Sequence, residues 1–215
     1  MRKMRVESLE LNDNLRAEME TGMNHGNDHS EREHFNRWSK TYEQSMSQWF
    51  FFDRVHRGLL ARIPADFTPA EVLDIGCGTG RLLRKIAVRW PEAHLAGVDL
   101  AEGMVAQART HTPGATITQA PAEALPLADG SVDLVTSTTS FHHWNDQAQG
   151  IREAVRVLRP GGLFALADMS VPAHGQPLSR RAIRELFQAA GLTIRVQNSP
   201  VLFYTFTVGE KASRA

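Results

Sequence analysis

Cysteine is nearly absent from this chain: Cys77 is the only one in 215 residues. A lone thiol excludes an internal disulfide framework and a multi-cysteine metal site, and it suits a reducing, cytoplasmic setting. Net charge is absent too, with 24 Lys and Arg against 24 Asp and Glu. Such balance supplies no global field to draw nucleic acid or an anionic membrane surface. No run approaches the roughly 18 apolar residues of a membrane span. The opening "MRKMRVESLELNDNLRAEME" is basic at its start but lacks the apolar core of a secretory signal. No internal repeat or long low-complexity tract breaks the chain. Its length suits one large domain, able to bury a core without staples.

What is present begins with a polar stretch. Residues 1–30 end in "TGMNHGNDHSE" and read as a flexible N-terminal arm. His25 and His29 are four apart there, but a Gly- and Asn-rich setting without clear helical pattern argues against a metal site, and no metal is expected. Residues 31–215 form the domain, with 31–63 as a helical lid and 70–215 as its core. In the lid Phe35, Trp38, Tyr42 and Met46 recur at three- and four-residue spacing, a helical period. Pro64 and "ADFTPA" end it.

Alternation follows. "EVLDIG", "HLAGVDL", "ATITQA", "SVDLVTST" and "GLFALADM" read as strands, and "TIRVQN" and "FYTFTVGE" as two closing strands. Between them "TGRLLRKIAVRW", "EGMVAQARTH", "DQAQGIREAVRVLRPGG" and "LSRRAIRELFQAAG" read as helices, the third stopped by its Pro-Gly-Gly. The pattern predicts an α/β fold: a Rossmann-like three-layer sandwich of about seven strands, mostly parallel, with an antiparallel C-terminal strand. Ligands of such sheets sit at the carboxyl ends of the strands, near the switch in strand order.

The first strand runs into "VLDIGCGTG", with glycine at 76, 78 and 80. Glycines at a strand-to-helix turn let backbone approach a ligand closely. The dinucleotide fingerprint places a further glycine where this chain has Arg81, and no Lys-Ser/Thr pair marks a phosphate-cradling loop. Asp74, two residues before Gly76, would repel a pyrophosphate but suits a cation. A nucleoside with a positive end is therefore the favoured ligand. Asp99 ends the second strand 19 residues after Gly80, about the distance at which an acidic residue takes ribose hydroxyls.

"VLDIGCGTG", "GVDL", "PAEALPLADGSVDLV" and "EAVRVLRPGG", in this order, resemble the class I S-adenosylmethionine-dependent methyltransferases, in particular the ubiquinone/menaquinone and natural-product small-molecule group. The similarity runs from about Phe35 to the C-terminus. It implies S-adenosylmethionine as cofactor and S-adenosylhomocysteine as product. It also implies that Asp74, Gly76, Cys77 and Gly78 pack under the methionine and ribose, while Asp99 holds the ribose hydroxyls. Leu100 and Met104 would flank adenine, Ala122 and Glu123 would meet its edge, Thr138 would complete the set, and Tyr42 would cover the methionine end. One departure is Pro121, where the family usually has an Asp that accepts from the exocyclic amine. Another is the short cap, with one evident helix between the fifth strand and the closing strands.

After the fourth strand comes "TSTTSFHHWND". His142 and His143 lie where the transferred methyl belongs, and by resemblance to natural-product O-methyltransferases they act with Asp168 at the end of the next strand. A histidine has the pKa for a general base at neutral pH. Simple loop capping by a histidine and core packing by Trp144 remain the plainer readings. The expected reaction is methyl transfer to a small molecule, at the hydroxyl oxygen of a hydrophobic or aromatic natural product. Phe35, Trp38, Tyr42 and the run Trp49 to Phe52 would line its pocket. C- or N-methylation of a small metabolite, and a non-catalytic cofactor-binding or scaffold protein, are the alternatives. A monomer or homodimer is expected, with neither nucleic-acid partner nor membrane span.

Overall fold

The computed structural model describes residues 46–169, 179–201 and 204–213. The elements are α1 (Met46–Leu60), β1 (Glu71–Ile75), α2 (Arg81–Arg89), β2 (His94–Asp99), α3 (Glu102–His111), β3 (Thr116–Gln119) and β4 (Val132–Thr138). A 3₁₀ turn (Phe141–His143) follows, then α4 (Gln147–Val157), β5 (Leu158–Met169), α5 (Arg180–Ala189), β6 (Leu192–Val201) and β7 (Tyr204–Lys211). The helices form where apolar residues recur at helical spacing, and in α4 and α5 a polar side chain also closes the first turn. Asp146 accepts the Gln149 N–H at the start of α4, and Ser179 accepts the Ala182 N–H at the start of α5.

The strands join one seven-stranded sheet in the order β3-β2-β1-β4-β5-β7-β6. β1, β2, β3, β4 and β5 run parallel, and β7 is antiparallel to both neighbours. This is the expected Rossmann-like arrangement. β4 and β5 are buried along most of their length, as central parallel strands covered on both faces must be. Their alternate residues feed two cores. Phe164 and Leu166 of β5 join Ile151 of α4 and Phe187 of α5 on one face. Leu163, Ala165 and Ala167 join Val55 and Leu59 of α1 and Ile86 of α2 on the other.

One expected boundary differs. Arg159 to Gly162 do not stop a helix; they lie within β5. Pairing to β4 passes from Val132↔Leu158 to Leu134↔Leu163, so three residues bulge out of register. Gly161 takes φ +79° in this bulge, and a Cβ on Gly162 would lie 2.9 Å from the carbonyl oxygens of Arg159 and Asp133. The glycines serve a strand that must kink before it enters the sheet. The N-terminal arm, His25, His29 and most of the lid, including Phe35, Trp38 and Tyr42, lie outside the described residues.

Candidate functional site

The chain order reverses between β1 and β4, and the loops leaving these two strands meet at the sheet's carboxyl edge. The glycine loop answers to its neighbours. Gly76, Gly78 and Gly80 have φ of +69°, +53° and +80°, the left-handed region that L side chains rarely adopt. A Cβ on Gly76 would lie 1.9 Å from Ser140 Oγ in the β4 loop, and one on Gly80 would lie 2.7 Å from Thr112 Cγ2. At Gly78 it would meet nothing within 4 Å among the described residues. The loop is thus pinned at both ends by protein and faces open space at its middle glycine.

Two carboxylates lie beneath and beside it. Asp74, next to last in β1, is 1% exposed and accepts the Thr136 hydroxyl of β4 at 2.8 Å. Burial, reinforced by the charge of Asp99, pushes its pKa up to about 7 against the opposing hydrogen bond of Thr136. Asp99, at the end of β2, accepts the Gly78 N–H and the Ala101 N–H, both at 2.9 Å. Its pKa is also raised by burial, although these backbone bonds oppose the shift. One carboxylate thus ties the glycine loop to the start of α3. Cys77 turns the other way: its buried thiol packs with Leu83, Val105, Ala108 and Ile117, leaving its backbone on the loop. Burial and the two carboxylates push that thiol's pKa up, which keeps it protonated and inert.

The next strand ends supply the flank. Met104 and Ala122 are buried, and Leu100 is partly exposed with its carbonyl accepting from Gln119 Nε2 at 2.9 Å. The Glu123 carboxylate accepts the Asp146 N–H at 3.0 Å, at the N-cap of α4. It is therefore engaged in holding that helix, so it is a poor substitute for the acceptor that Pro121 lacks. Pro121 itself offers a carbonyl, which accepts the Ala124 N–H at 3.3 Å.

Beyond β4 the chain makes a strained exit. Thr139 has φ +53° without being glycine, and its hydroxyl lies 3.1 Å from that of Tyr204 on β7. The turn that follows brings His142 Nδ1 to 2.7 Å from Asp168 Oδ1, with side chains 10% and 0% exposed. The same aspartate accepts the Phe141 N–H at 2.8 Å and the Met169 N–H at 2.6 Å, so the pair is fixed from the turn after β4 and from the end of β5. The His143 ring lies 3.9 Å from that of His142. Trp144 packs edge-on against Phe141 and donates its Nε1–H to Ser140 Oγ at 3.1 Å. Thr138, at the end of β4, lies beside Ala167 of β5. Of the aromatic run, Phe51 packs against Tyr204 at 5.4 Å between ring centroids, whereas Phe50 is 64% exposed.

The structure thus brings Asp74, Gly76, Gly78, Asp99, Thr138, His142, His143 and Asp168 to one edge of the sheet; Tyr42 lies outside the described residues. Sequence reading missed Ser140, Thr136 and Tyr204, whose partners come from other strands. The hydroxyl-rich run Thr136 to Ser140 was the available signal. A nucleoside with a cationic end fits what is present: an open face at Gly78 for close backbone approach and two buried carboxylates behind it. Among the described residues no group of three His, Cys, Asp or Glu could hold a metal ion, and no helix is long and apolar enough to cross a membrane.

Residues 73–166 match a family model described as a methyltransferase domain. The chain is 34% identical over 129 residues to the methyltransferase YdaC of Bacillus subtilis, covering 56% of this chain and 70% of that one. The chain belongs to the class I S-adenosylmethionine-dependent methyltransferases. It is also 37% identical over 141 residues to the malonyl-[acyl-carrier protein] O-methyltransferase of Dechloromonas aromatica, covering 64% of this chain and 50% of that methyltransferase. It spans half or less of the length of the methyltransferases of that name that it matches. A chain from the complex between the Haloferax volcanii Trm112 methyltransferase activator and a methyltransferase superposes with a TM-score of 0.70 at 25% identity. The match covers 83% of this chain and 97% of that one.

Proposed function

We propose that this methyltransferase moves the methyl group of S-adenosylmethionine to a small-molecule acceptor, at a hydroxyl oxygen of an apolar or aromatic compound. The observation that carries this reading is the His142–Asp168 pair, 2.7 Å apart and nearly enclosed, at the strand ends beside the glycine loop. The O-methyltransferase name of relatives at 37–46% identity supports oxygen as the methylated atom. When bound, S-adenosylmethionine supplies an electrophilic methyl on a sulfonium that departs as the neutral thioether S-adenosylhomocysteine.

The chain's own part is to hold and to deprotonate. Asp99 accepts the ribose hydroxyls with the lone pairs its backbone donors leave over. The open side of Gly78 takes the close approach of the nucleoside, and Asp74 offsets the cationic end from below. Leu100, Met104 and Ala122 flank the adenine. At the acceptor, Asp168 takes the Nδ1–H of His142, which sets the tautomer and leaves Nε2 as the basic nitrogen. His142 Nε2 would take the proton of the acceptor hydroxyl as that oxygen receives the methyl group the cofactor would supply. Such a positioned base contributes roughly 10²- to 10⁴-fold, and alignment of the three reacting atoms can contribute as much or more.

The test is a methylation assay over phenols and hydroxylated aromatic compounds, with the cofactor's dissociation constant measured alongside. His142→Ala should lower kcat by about 10²-fold or more with little change in cofactor affinity, and Asp168→Asn should fall in the same direction. Activity near wild type in the double His142→Ala, His143→Ala variant would sink the base and favour C- or N-methylation by positioning alone.

A further inference from the structure

A strained residue marks the point where the chain leaves β4. Among the described residues Thr139 is the one non-glycine with positive φ, at +53°. Its branched Cβ makes the left-handed region costlier than it is for asparagine or aspartate. Such strain persists only where neighbouring structure over-determines it, and it gathers at functional sites. Up to Thr139 the chain follows the sheet: Thr138 pairs with Ala167, and the Thr139 N–H donates to the Ala167 carbonyl at 2.9 Å. Directly afterwards it turns, and two residues on the Phe141 N–H donates to Asp168 Oδ2 at 2.8 Å.

Tyr204 holds that residue from across the sheet. It begins β7, which is separated from β4 by β5, and it is buried with its ring edge-on against Phe51 of α1. Its backbone lies opposite Met169 at the end of β5, so the side chain spans β5 to bring its hydroxyl 3.1 Å from that of Thr139. Strand pairing and Phe51 fix the ring, which makes the phenol oxygen a rigid stop. A buried tyrosine hydroxyl needs a partner, and that need accounts for the pair but not for the strained backbone at its far end. The strain redirects the chain. The Phe141–His143 turn follows at once, closed by the His143 N–H donating to the Ser140 carbonyl at 2.9 Å, and it carries His142 Nδ1 to 2.7 Å from Asp168 Oδ1.

We propose that Thr139 and Tyr204 are positioning residues: their hydroxyl pair fixes the direction in which the chain leaves β4 and thereby sets His142 against Asp168. Their effect reaches the imidazole through the backbone of residues 139 to 142. A base displaced by an ångström can cost about 10²-fold in rate, so a hydroxyl two strands away bears on the reaction. Its use in proton transfer rests on the reading of His142 as the base; the geometry stands by itself.

The test follows the His142 ring nitrogens by NMR in the full chain at about pH 9, above the ordinary titration range of histidine. Wild type should show one tautomer, with the proton on Nδ1. Tyr204→Phe keeps the buried ring and removes the hydroxyl, and Thr139→Val removes it from the other end while keeping the branched shape. In each the minor tautomer should rise about tenfold as the Asp168 bond loosens, with the amide shifts of β4 and β5 away from the turn unchanged. The double variant should be no worse than either single one, and Thr139→Ser, which keeps the hydroxyl, should stay near wild type. A wild-type tautomer ratio in both the Phe and Val variants, or amide changes spread along both strands, overturns the proposal. Methyl transfer to the phenols named above separates it from the reading of the base: Tyr204→Phe should lower kcat about tenfold and add nothing in a His142→Ala background. A changed tautomer ratio with His142→Ala near wild-type activity would keep the positioning and remove the base. An unchanged ratio with inactive His142→Ala would remove the positioning alone.

Discussion

Asp74 is a carboxyl group with almost no access to water, one hydroxyl partner and a second carboxylate nearby. Its pKa of about 7 means that the folded protein keeps a proton there which an unfolded chain releases near pH 4. The fold therefore binds more protons than the unfolded state across that window. Its stability is full at the acid end and falls as the pH rises toward 7. Asp99 is shifted the same way and adds to the slope. In urea titrations of the ligand-free protein, Asp74→Asn should keep the Thr136 bond and flatten the decline between about pH 4 and 7. An unchanged slope would mean that Asp74 is ionised in the fold. A cation near this residue favours its ionised form, so cofactor binding should release protons near neutrality. Calorimetry in buffers of different ionisation enthalpy would read that release directly.

Elements, rather than residues, decide why three similar glycines are not equivalent. Gly76 stands against the β4 loop through Ser140, whereas Gly78 faces open space. Gly76→Ala must bear both left-handed backbone strain, about 1–2 kcal/mol, and a clash that moves Ser140 and with it Trp144. Gly78→Ala bears the strain alone. The expected outcome is a larger loss of Tm for Gly76→Ala, and for Gly78→Ala a loss of cofactor affinity out of proportion to its loss of Tm. Equal ratios in the two variants would contradict an open ligand face at Gly78. This difference is not legible in "GCGTG", where the glycines look alike. The strands and helices were legible, because periods of two and of 3.6 residues are local. Asp99 at a strand end was legible as spacing, and the His142–Asp168 pairing only through the resemblance to natural-product O-methyltransferases. What was hidden depends on register across the sheet: Thr136 meets Asp74 because β1 and β4 pair with those residues opposite. The Pro-Gly-Gly misled for the same reason, since a local stop signal and a strand bulge use the same residues.

The site belongs to the whole molecule, since strands β1, β2, β4 and β5 and the loops after β3 and β4 each contribute to one edge. A ligand bound there holds those strand ends together, and it stabilises the native state by mass action without binding the unfolded one. At a cofactor concentration of 100 times the dissociation constant that gain is about 2.7 kcal/mol. For a domain of this size it corresponds to a rise in Tm of roughly 5–10 °C. Asp99→Ala is the informative variant, though its own Tm will fall because Gly78 and Ala101 lose their acceptor. The quantity to compare is therefore the ligand-induced rise, not the starting value. With S-adenosylmethionine or S-adenosylhomocysteine the rise should be present in wild type and nearly abolished in Asp99→Ala. An undiminished rise in the variant would place the nucleoside elsewhere. No rise in either protein would leave a methyltransferase fold without its cofactor, and the His142–Asp168 pair would then need another explanation.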